Sequence, residues 1–376
     1  MSELSAKGSN WFQRFVLPGF AFKAVVIGGG YATGRELAEF FLPSGPWGGV
    51  LGMVLAAAIW SVVAALTFVF ARQTGSLDYR HFFRSLLGPF WIVFEIAFVL
   101  MLVILLAVFG AAAGALGQAL LGLPVIVGTL ALVAGIAVFT TLGNHSVEEL
   151  FKYVSFLLYG VYAVFLALAL TKFGDQIGVA FAKPSIGPDW IAGGLTYSGY
   201  NIIGAVAILP VLRHMRSDRD AVAAGLLAGP LAMAPALLFF VCMAAWPDVK
   251  GVALPSDFLL GKLNMPIVRW GFQIMIFAAL LESGTGSVNA FIERVAGVFT
   301  ERGGHMSSRL RLIVALALLT SSVFLADRFG LVQLIAKGYR FLSYAFLAAY
   351  VAPLLTIGLW RVLRRKPALQ ASPATS

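Results

Sequence analysis

The chain has 376 residues, of which 60% are hydrophobic and 12% charged, and its mean hydropathy is +0.90. Apolar stretches of about 18 residues or more, each long enough to cross a bilayer as a helix, recur along the whole sequence and exclude a water-soluble domain. Period-2 alternation typical of a β-barrel is absent, and the net charge of +10 comes without the interleaved aromatic residues of a nucleic-acid-binding surface, so we expect no nucleic-acid partner.

Ten membrane-spanning helices are predicted in chain order. Their approximate bounds are 12–42, 48–72, 89–119, 124–142, 147–173, 187–213, 218–246, 265–300, 308–326 and 329–363. Arginine and lysine residues concentrate at both ends of the chain and in alternate loops, for example at Arg72, Arg80 and Arg84 and at Arg213, Arg216 and Arg219. The positive-inside rule therefore places both termini in the cytoplasm.

The first predicted helix is interrupted by the stretch GGGYATGRE at residues 28–36, near the expected bilayer midplane. A glycine destabilises a helix interior by about 1 kcal/mol relative to alanine, so three in succession predict a local break. Unwound backbone at this depth has to face protein or a cavity, because lipid cannot satisfy its polar groups. We therefore expect a substrate site here; its candidate residues are Gly28, Gly29, Gly30, Tyr31, Ala32, Thr33 and Gly34. The alternative is that the glycines only allow another helix to pack closely.

A second stretch of the same kind, GGLTYSGYNIIG at residues 193–204, lies in the sixth predicted helix. Two five-helix halves have opposite orientations in the membrane, so paired interruptions half a chain apart indicate an inverted repeat with discontinuous helices 1 and 6. A break at the Ser-Gly step would add residues to the substrate site; these are Tyr197, Ser198, Gly199, Tyr200 and Asn201. Ordinary aromatic packing is the alternative for the two tyrosines.

Polar side chains in other helices are candidates for binding or carrying the coupling cation. The hydroxyls of Thr285 and Ser287 could complete an oxygen shell for a hard cation, although bonding to their own helix backbone is the alternative. Glu282 and Glu95 could carry a proton, because an ionisable group inside the membrane is costly, and the alternative for Glu95 is a position near the membrane interface. Lys152 could supply an ammonium in place of a metal cation, or could reach the cytoplasmic surface instead.

Charged residues in the first and tenth helices predict a gate. Glu36 or Glu39 could pair with Lys337 or Arg340 across the bundle. Arg35 and Glu39 could instead satisfy each other one helical turn apart.

The motifs GGGYATGRELAEFF, GGLTYSGYNIIG and SGTGSVNAFIERV together resemble the bacterial YkvI-like amino-acid permease family, within the amino acid/polyamine/organocation superfamily. The resemblance extends over nearly the whole chain. It implies the leucine-transporter type 5+5 fold, with substrate held between the first, third, sixth and eighth helices. In sodium-coupled relatives, hydroxyls on the eighth helix hold the ion, and Thr285 and Ser287 are the matches here. In some proton-coupled relatives a lysine of the fifth helix replaces the ion, and Lys152 is the candidate.

The resulting prediction is a single transmembrane domain over 1–376, with five-helix repeats at 11–173 and 187–363 and a cytoplasmic tail at 364–376. We expect a Na⁺- or H⁺-coupled transporter of a small polar metabolite, foremost an amino acid, in a bacterial cytoplasmic membrane, surrounded by lipid. No cofactor other than a coupling Na⁺ is expected. The four histidines lack metal-ligand spacing and no nucleophile motif is present, so an enzyme is not indicated. The alternative is a receptor that binds an amino acid with the same fold without transporting it.

Overall fold

A computed structural model describes residues 10–26, 29–142, 144–301 and 303–364. Every regular element in these ranges is helical, which confirms the predicted all-α class. We number the α-helices in chain order. They are α1 (Leu17–Val26), α2 (Gly29–Ala32), α3 (Arg35–Phe40), α4 (Gly45–Thr74), α5 (Tyr79–Leu87), α6 (Trp91–Leu121), α7 (Val125–Leu142), α8 (Asn144–Lys172), α9 (Gly174–Phe181), α10 (Trp190–Asn201), α11 (Gly204–Ala207), α12 (Asp218–Ala244), α13 (Pro255–Leu263), α14 (Pro266–Glu301), α15 (Ser308–Gln333), α16 (Arg340–Phe346) and α17 (Leu359–Arg364).

Several helical stretches are long and apolar enough to cross a membrane, so the chain is a multi-pass membrane protein. Judged by length and composition, five described stretches meet this requirement: Arg35–Thr74, Tyr79–Leu121, Asp218–Ala244, Pro266–Thr300 and Ser308–Arg364. A sixth consists of Leu157–Lys172 and Gly174–Phe181, which meet at a bend of 70°.

The predicted count of ten differs from these stretches for local reasons, and it stays a prediction. The ninth and tenth predicted segments are two helices that meet at a kink at Gly330, whose φ of 68° and ψ of 169° are not helical, and they count as one stretch above only because no residues separate them. Wider π-helical turns follow at Leu334–Tyr339, Leu347–Val351 and Leu354–Gly358. The sixth predicted segment falls short of a full span because it is interrupted, and residues 27–28 of the first lie outside the described part of the chain.

Small residues allow α4 and α12 to pack closely. A Cβ atom at Gly225 would lie 2.3 Å from the Ala65 backbone, and one at Gly229 would lie 2.1 Å from the Ala57 carbonyl oxygen. Ser61 also donates a hydrogen bond of 2.8 Å to the Leu226 carbonyl. Close backbone approach through small residues is the usual way in which membrane helices associate, since lipid removes the hydrophobic driving force.

Polar contacts mark the two ends of the bundle. At one end, which we call the arginine-rich end, Arg14 binds Asp220 and Arg72 binds Asp218, at 2.8 and 2.9 Å respectively. The α5 helix lies at this end too, where Arg361 donates to the Ser85 carbonyl. At the opposite end of the bundle, hydrogen bonds and an ion pair connect the loops between helices. These contacts include Gly187 N–H to the Ser44 carbonyl, Trp47 to the Phe181 carbonyl, and Asp257 with Arg269.

Candidate functional site

The first helix break lies at Thr33 and Gly34, between α2 and α3. Gly34 has a φ of +74°, and a Cβ atom there would lie 2.7 Å from the Phe239 ring. Both the conformation and the close approach therefore require glycine. The Thr33 carbonyl accepts a hydrogen bond of 3.0 Å from the Ser256 N–H, so α13 satisfies a backbone group that the break releases.

The glycine triplet does not coincide with this break. Gly29 and Gly30 belong to the helical turn of α2, and Gly28 lies outside the described residues. The prediction of a break in this motif was right, but its described position is four residues beyond Gly30. The position of the break is determined by one residue that requires positive φ, Gly34, and not by the number of glycines.

The second break is milder and lies at Ile202 and Ile203, between α10 and α11. Both residues keep right-handed helical φ and ψ, and bonds such as that from the Ala205 N–H to the Ile202 carbonyl span three residues instead of four. The expected break at Ser198–Gly199 is not there, because α10 is helical as far as Asn201 and the Ile202 N–H donates to the Ser198 carbonyl at 3.0 Å. The glycines of this motif allow other elements to pack closely against α10. Cβ atoms at these positions would lie 1.9 Å from the Phe40 carbonyl oxygen (Gly193), 2.6 Å from the Gly52 carbonyl oxygen (Gly194) and 2.9 Å from Ser343 (Gly199).

Four buried tyrosines lie near the carboxylate of Glu36, and a fifth, Tyr162, contacts one of them. We call them the tyrosine cluster: Tyr31, Tyr162, Tyr197, Tyr200 and Tyr339. Tyr200 donates a hydrogen bond of 2.6 Å to Glu36, and the hydroxyls of Tyr31 and Tyr162 are 2.9 Å apart. The rings of Tyr200 and Tyr339 pack with centroids 4.4 Å apart. The cluster thus joins α2, α3, α8, α10 and the π-helical turn at Leu334–Tyr339.

Two hydroxyls of the tyrosine cluster have no hydrogen-bond partner among the described residues. These belong to Tyr197 and Tyr339, whose side chains are 0% and 1% exposed. Both lie close enough to Glu36 to interact with its charge. A buried polar group without a partner is destabilising, so the cluster retains capacity to bind a polar ligand.

Other predicted substrate residues use their polar side chains within α10. The Ser198 hydroxyl donates to the Leu195 carbonyl at 3.0 Å, and the Asn201 amide donates to the Tyr197 carbonyl at 3.1 Å. Ala32 and Thr33 are buried next to Tyr31.

The expected pairing of the first helix with Lys337 or Arg340 is not found among the described side chains. Arg35 binds Glu39 one turn away, which is the alternative stated above, and also donates to the carbonyls of Lys250 and Val252 at 2.8 and 3.0 Å. Lys337 and Arg340 are exposed, and Glu36 is inside the tyrosine cluster. Arg35 consequently connects α3 to the loop that precedes α13.

The candidate cation residues on α14 differ in their surroundings. Thr285 is fully buried and its hydroxyl has no described partner, whereas the Ser287 hydroxyl donates to the Ser283 carbonyl at 2.8 Å. The α14 helix packs against α2, beside the first break. Glu282 is half-buried and interacts with Tyr159 of α8. The side chain of Lys152 lies outside the described residues.

Glu95 lies at the arginine-rich end, away from the helix breaks. It accepts a hydrogen bond of 3.2 Å from Tyr79 and lies 3.5 Å from Arg294, whose guanidinium packs 3.3 Å from the centre of the Phe98 ring. Tyr79, Phe98 and Arg294 border a cavity of about 500 Å³ that reaches Ile203 at the second break. The cavity therefore connects this end of the molecule with one of the interruptions.

Two residues near the candidate site were not identified from the sequence. Tyr339 is a member of the tyrosine cluster, and Lys23 of α1 has its ammonium 4.5 Å from the centre of the Tyr159 ring. A signal was present in both cases, since Lys23 is a charge inside an apolar span and Tyr339 lies between Lys337 and Arg340. What the sequence could not supply was the partner on another helix.

Comparison with known proteins agrees with this architecture. No protein-family model matches the chain. A membrane protein of Bacillus subtilis strain 168, YkvI, which is described as uncharacterised, is 23% identical over 331 residues, covering 88% of this chain and 92% of YkvI. The chain is a homologue of YkvI. The resemblance inferred from the sequence motifs is thereby confirmed.

Solved structures similar to the chain have the leucine-transporter type fold. MhsT in complex with L-phenylalanine is 15% identical, with a TM-score of 0.59 over 94% of this chain and 97% of MhsT. A Na⁺-coupled sialic acid symporter is 15% identical, with a TM-score of 0.59 over 93% of this chain and 82% of the symporter. Mhp1, a nucleobase-cation-symport-1 family transporter, is 15% identical, with a TM-score of 0.54 over 94% of this chain and 79% of Mhp1. The predicted leucine-transporter type fold is confirmed, whereas the count of ten helices and the 5+5 repeat stay predictions, and these structures are transporters rather than enzymes.

Proposed function

We propose that the protein is a cation-coupled secondary transporter of a small polar metabolite, with amino acids as the first class to test. The observation that supports this most directly is the buried tyrosine cluster around Glu36, which lies beside two interrupted helices. Such interruptions place free backbone groups and polar side chains at the middle of a membrane, where transporters bind substrate. MhsT binds L-phenylalanine, which favours beginning with amino acids.

The transport cycle that follows is alternating access between the two ends of the bundle. In the described conformation, Arg35 and the Ser256 N–H hold the loop and α13 over one end. From the arginine-rich end, the cavity of about 500 Å³ leads towards Ile203. If this end is cytoplasmic, as the positive-inside rule indicates for both termini, the described conformation resembles a state that is closed outside and partly open inside. We also propose that the chain consists of two five-helix repeats and that it lies in a bacterial cytoplasmic membrane.

For the coupling ion, we propose Na⁺ held with the help of Thr285 and Ser287, or a proton carried by Glu282 or Lys152. The buried hydroxyl of Thr285 supports the Na⁺ form, because an oxygen without a described partner beside a helix break is suited to a hard cation. The Na⁺-coupled sialic acid symporter shows that a protein with this fold can use Na⁺.

The test is thermal stabilisation of the purified protein by each of the twenty amino acids, with and without Na⁺ and at two pH values. A ligand that binds only the folded state raises the apparent stability. We expect stabilisation that requires Na⁺ to disappear in Thr285→Val and to weaken less in Ser287→Ala, whose hydroxyl is already bonded to the Ser283 carbonyl. A response that follows pH alone and is lost in Glu282→Gln would assign coupling to protons. No stabilisation by any amino acid would contradict the substrate class.

A further inference from the structure

The charge at the tyrosine cluster is unbalanced. Glu36 is 4% exposed, and no described lysine or arginine forms an ion pair with it. The neighbouring cation, Arg35, is engaged by Glu39 and by the carbonyls of Lys250 and Val252. A buried carboxylate whose described hydrogen bond comes from one tyrosine hydroxyl lacks the compensation that a buried charge normally has.

The surroundings of Glu36 are suited to a positively charged group. Aromatic ring faces carry negative electrostatic potential and attract ammonium groups, most strongly where water is excluded. The unpartnered hydroxyls of Tyr197 and Tyr339 can accept hydrogen bonds from an N–H donor. Behind Tyr197, the rings of Phe41 and Trp60 pack with centroids 4.9 and 5.5 Å away and extend the aromatic wall.

The same surroundings disfavour a second negative charge. A zwitterionic substrate would bring its own carboxylate near Glu36, where no described cationic side chain is available to pair with it. Like charges in a dry site repel strongly. A substrate that carries more ammonium groups than carboxylates avoids this repulsion.

From these observations we propose that Glu36 and the tyrosine cluster recognise the ammonium group of a substrate with net positive charge, such as a basic amino acid or a diamine. The inference rests on the proposed function and narrows its substrate class. The rings of Tyr200 and Tyr339 touch in the described conformation, so entry requires α10 and the turn at Leu334–Tyr339 to separate. Ile203, three residues after Tyr200, is the point at which the cavity from the arginine-rich end reaches this region.

Equilibrium binding to the purified full-length protein tests the proposal. The cationic probes are L-lysine, L-arginine and putrescine, and the zwitterionic probes are L-alanine, L-leucine and L-phenylalanine. We expect cationic probes to bind more tightly. Glu36→Gln should raise the Kd of the best cationic probe about 30-fold or more, because one partner of a buried charge pair is lost. Tyr339→Phe keeps the ring and removes the hydroxyl, and it should raise the Kd about tenfold.

Controls separate failure of this inference from failure of the proposed function. Asp248→Asn removes an exposed carboxylate outside the cluster and should leave the Kd unchanged. Tight binding of zwitterions alone would overturn the inference and leave the transporter proposal standing. The Glu36→Gln variant could bind cationic probes as tightly as the parent and lose proton-driven uptake. That result would show that Glu36 carries a proton and would overturn the inference. Binding of neither set of probes would contradict the inference and the amino-acid proposal together.

Discussion

At the residue scale, glycine has two different roles in the interrupted helices. Gly34 is required for its positive φ and marks a break, whereas Gly193, Gly194 and Gly199 lie in regular helix and allow other elements to approach closely. Sequence composition alone treats these glycines alike, so it identified the right segments and misplaced the breaks. The position of a break depends on which backbone group another element can satisfy, here the Thr33 carbonyl, which accepts a hydrogen bond from the Ser256 N–H.

Gly193→Ala should destabilise the protein, because the added Cβ would lie 1.9 Å from the Phe40 carbonyl oxygen. Overpacking of this kind typically lowers the free energy of unfolding by about 1–3 kcal/mol. Thermal unfolding in detergent measures the effect. Gly160→Ala is the matched control, since a Cβ atom at this helix position has nothing within 4 Å, and we expect it to be neutral or slightly stabilising. Equal melting temperatures for the two variants would refute close packing at Gly193.

At the element scale, hydropathy was sufficient to predict the positions of the long helices and insufficient to predict the short ones. The α4, α6, α12 and α14 helices lie within a few residues of their predicted bounds because each is a long apolar run. The α5 and α13 helices were not predicted, since they are short, contain charged residues and depend on contacts with other elements. The α13 helix is nevertheless important, because it contacts the first break and is linked through its preceding loop to Arg35.

Arg35→Gln should loosen the loop and α13 from α3, because the variant loses the ion pair with Glu39 and weakens two hydrogen bonds to carbonyls. Ser256 is fully buried and can report this change as Ser256→Cys in a Cys242→Ala background. We expect a membrane-impermeant maleimide to label this cysteine about tenfold faster after Arg35→Gln, in line with the loss of hydrogen bonds to a charged group.

Lys250→Gln provides the control for that experiment. Its side chain is exposed and Arg35 contacts only its backbone carbonyl, so labelling of the cysteine should stay slow. Equal labelling rates in the Arg35→Gln variant and its parent would show that Arg35 does not hold this end closed.

At the scale of the whole molecule, the sequence was sufficient for the membrane class and the leucine-transporter type fold. The membrane class follows from apolar length and the inverted repeat from paired interruptions, which survive local errors, whereas the leucine-transporter type fold is implied by the family resemblance of three motifs. The candidate site was only partly predictable. The motif residues Tyr31, Tyr197 and Tyr200 were identified, but Glu36 was expected at a gate and Tyr339 was not considered, because their neighbours come from helices distant in sequence.

The same fold could also serve a receptor that binds its ligand without moving it. A receptor and a transporter would share the buried cluster and the breaks, and they would differ in whether both ends open in turn. Binding data alone therefore do not distinguish them, whereas accumulation against a gradient does.

The most direct test is uptake of a radiolabelled ligand, chosen from the stabilisation and binding experiments, into proteoliposomes with an imposed Na⁺ or H⁺ gradient. We expect accumulation above equilibrium that collapses when an ionophore removes the coupling gradient, and no accumulation in protein-free liposomes. Saturable binding with no accumulation under either gradient would contradict transport and favour the receptor.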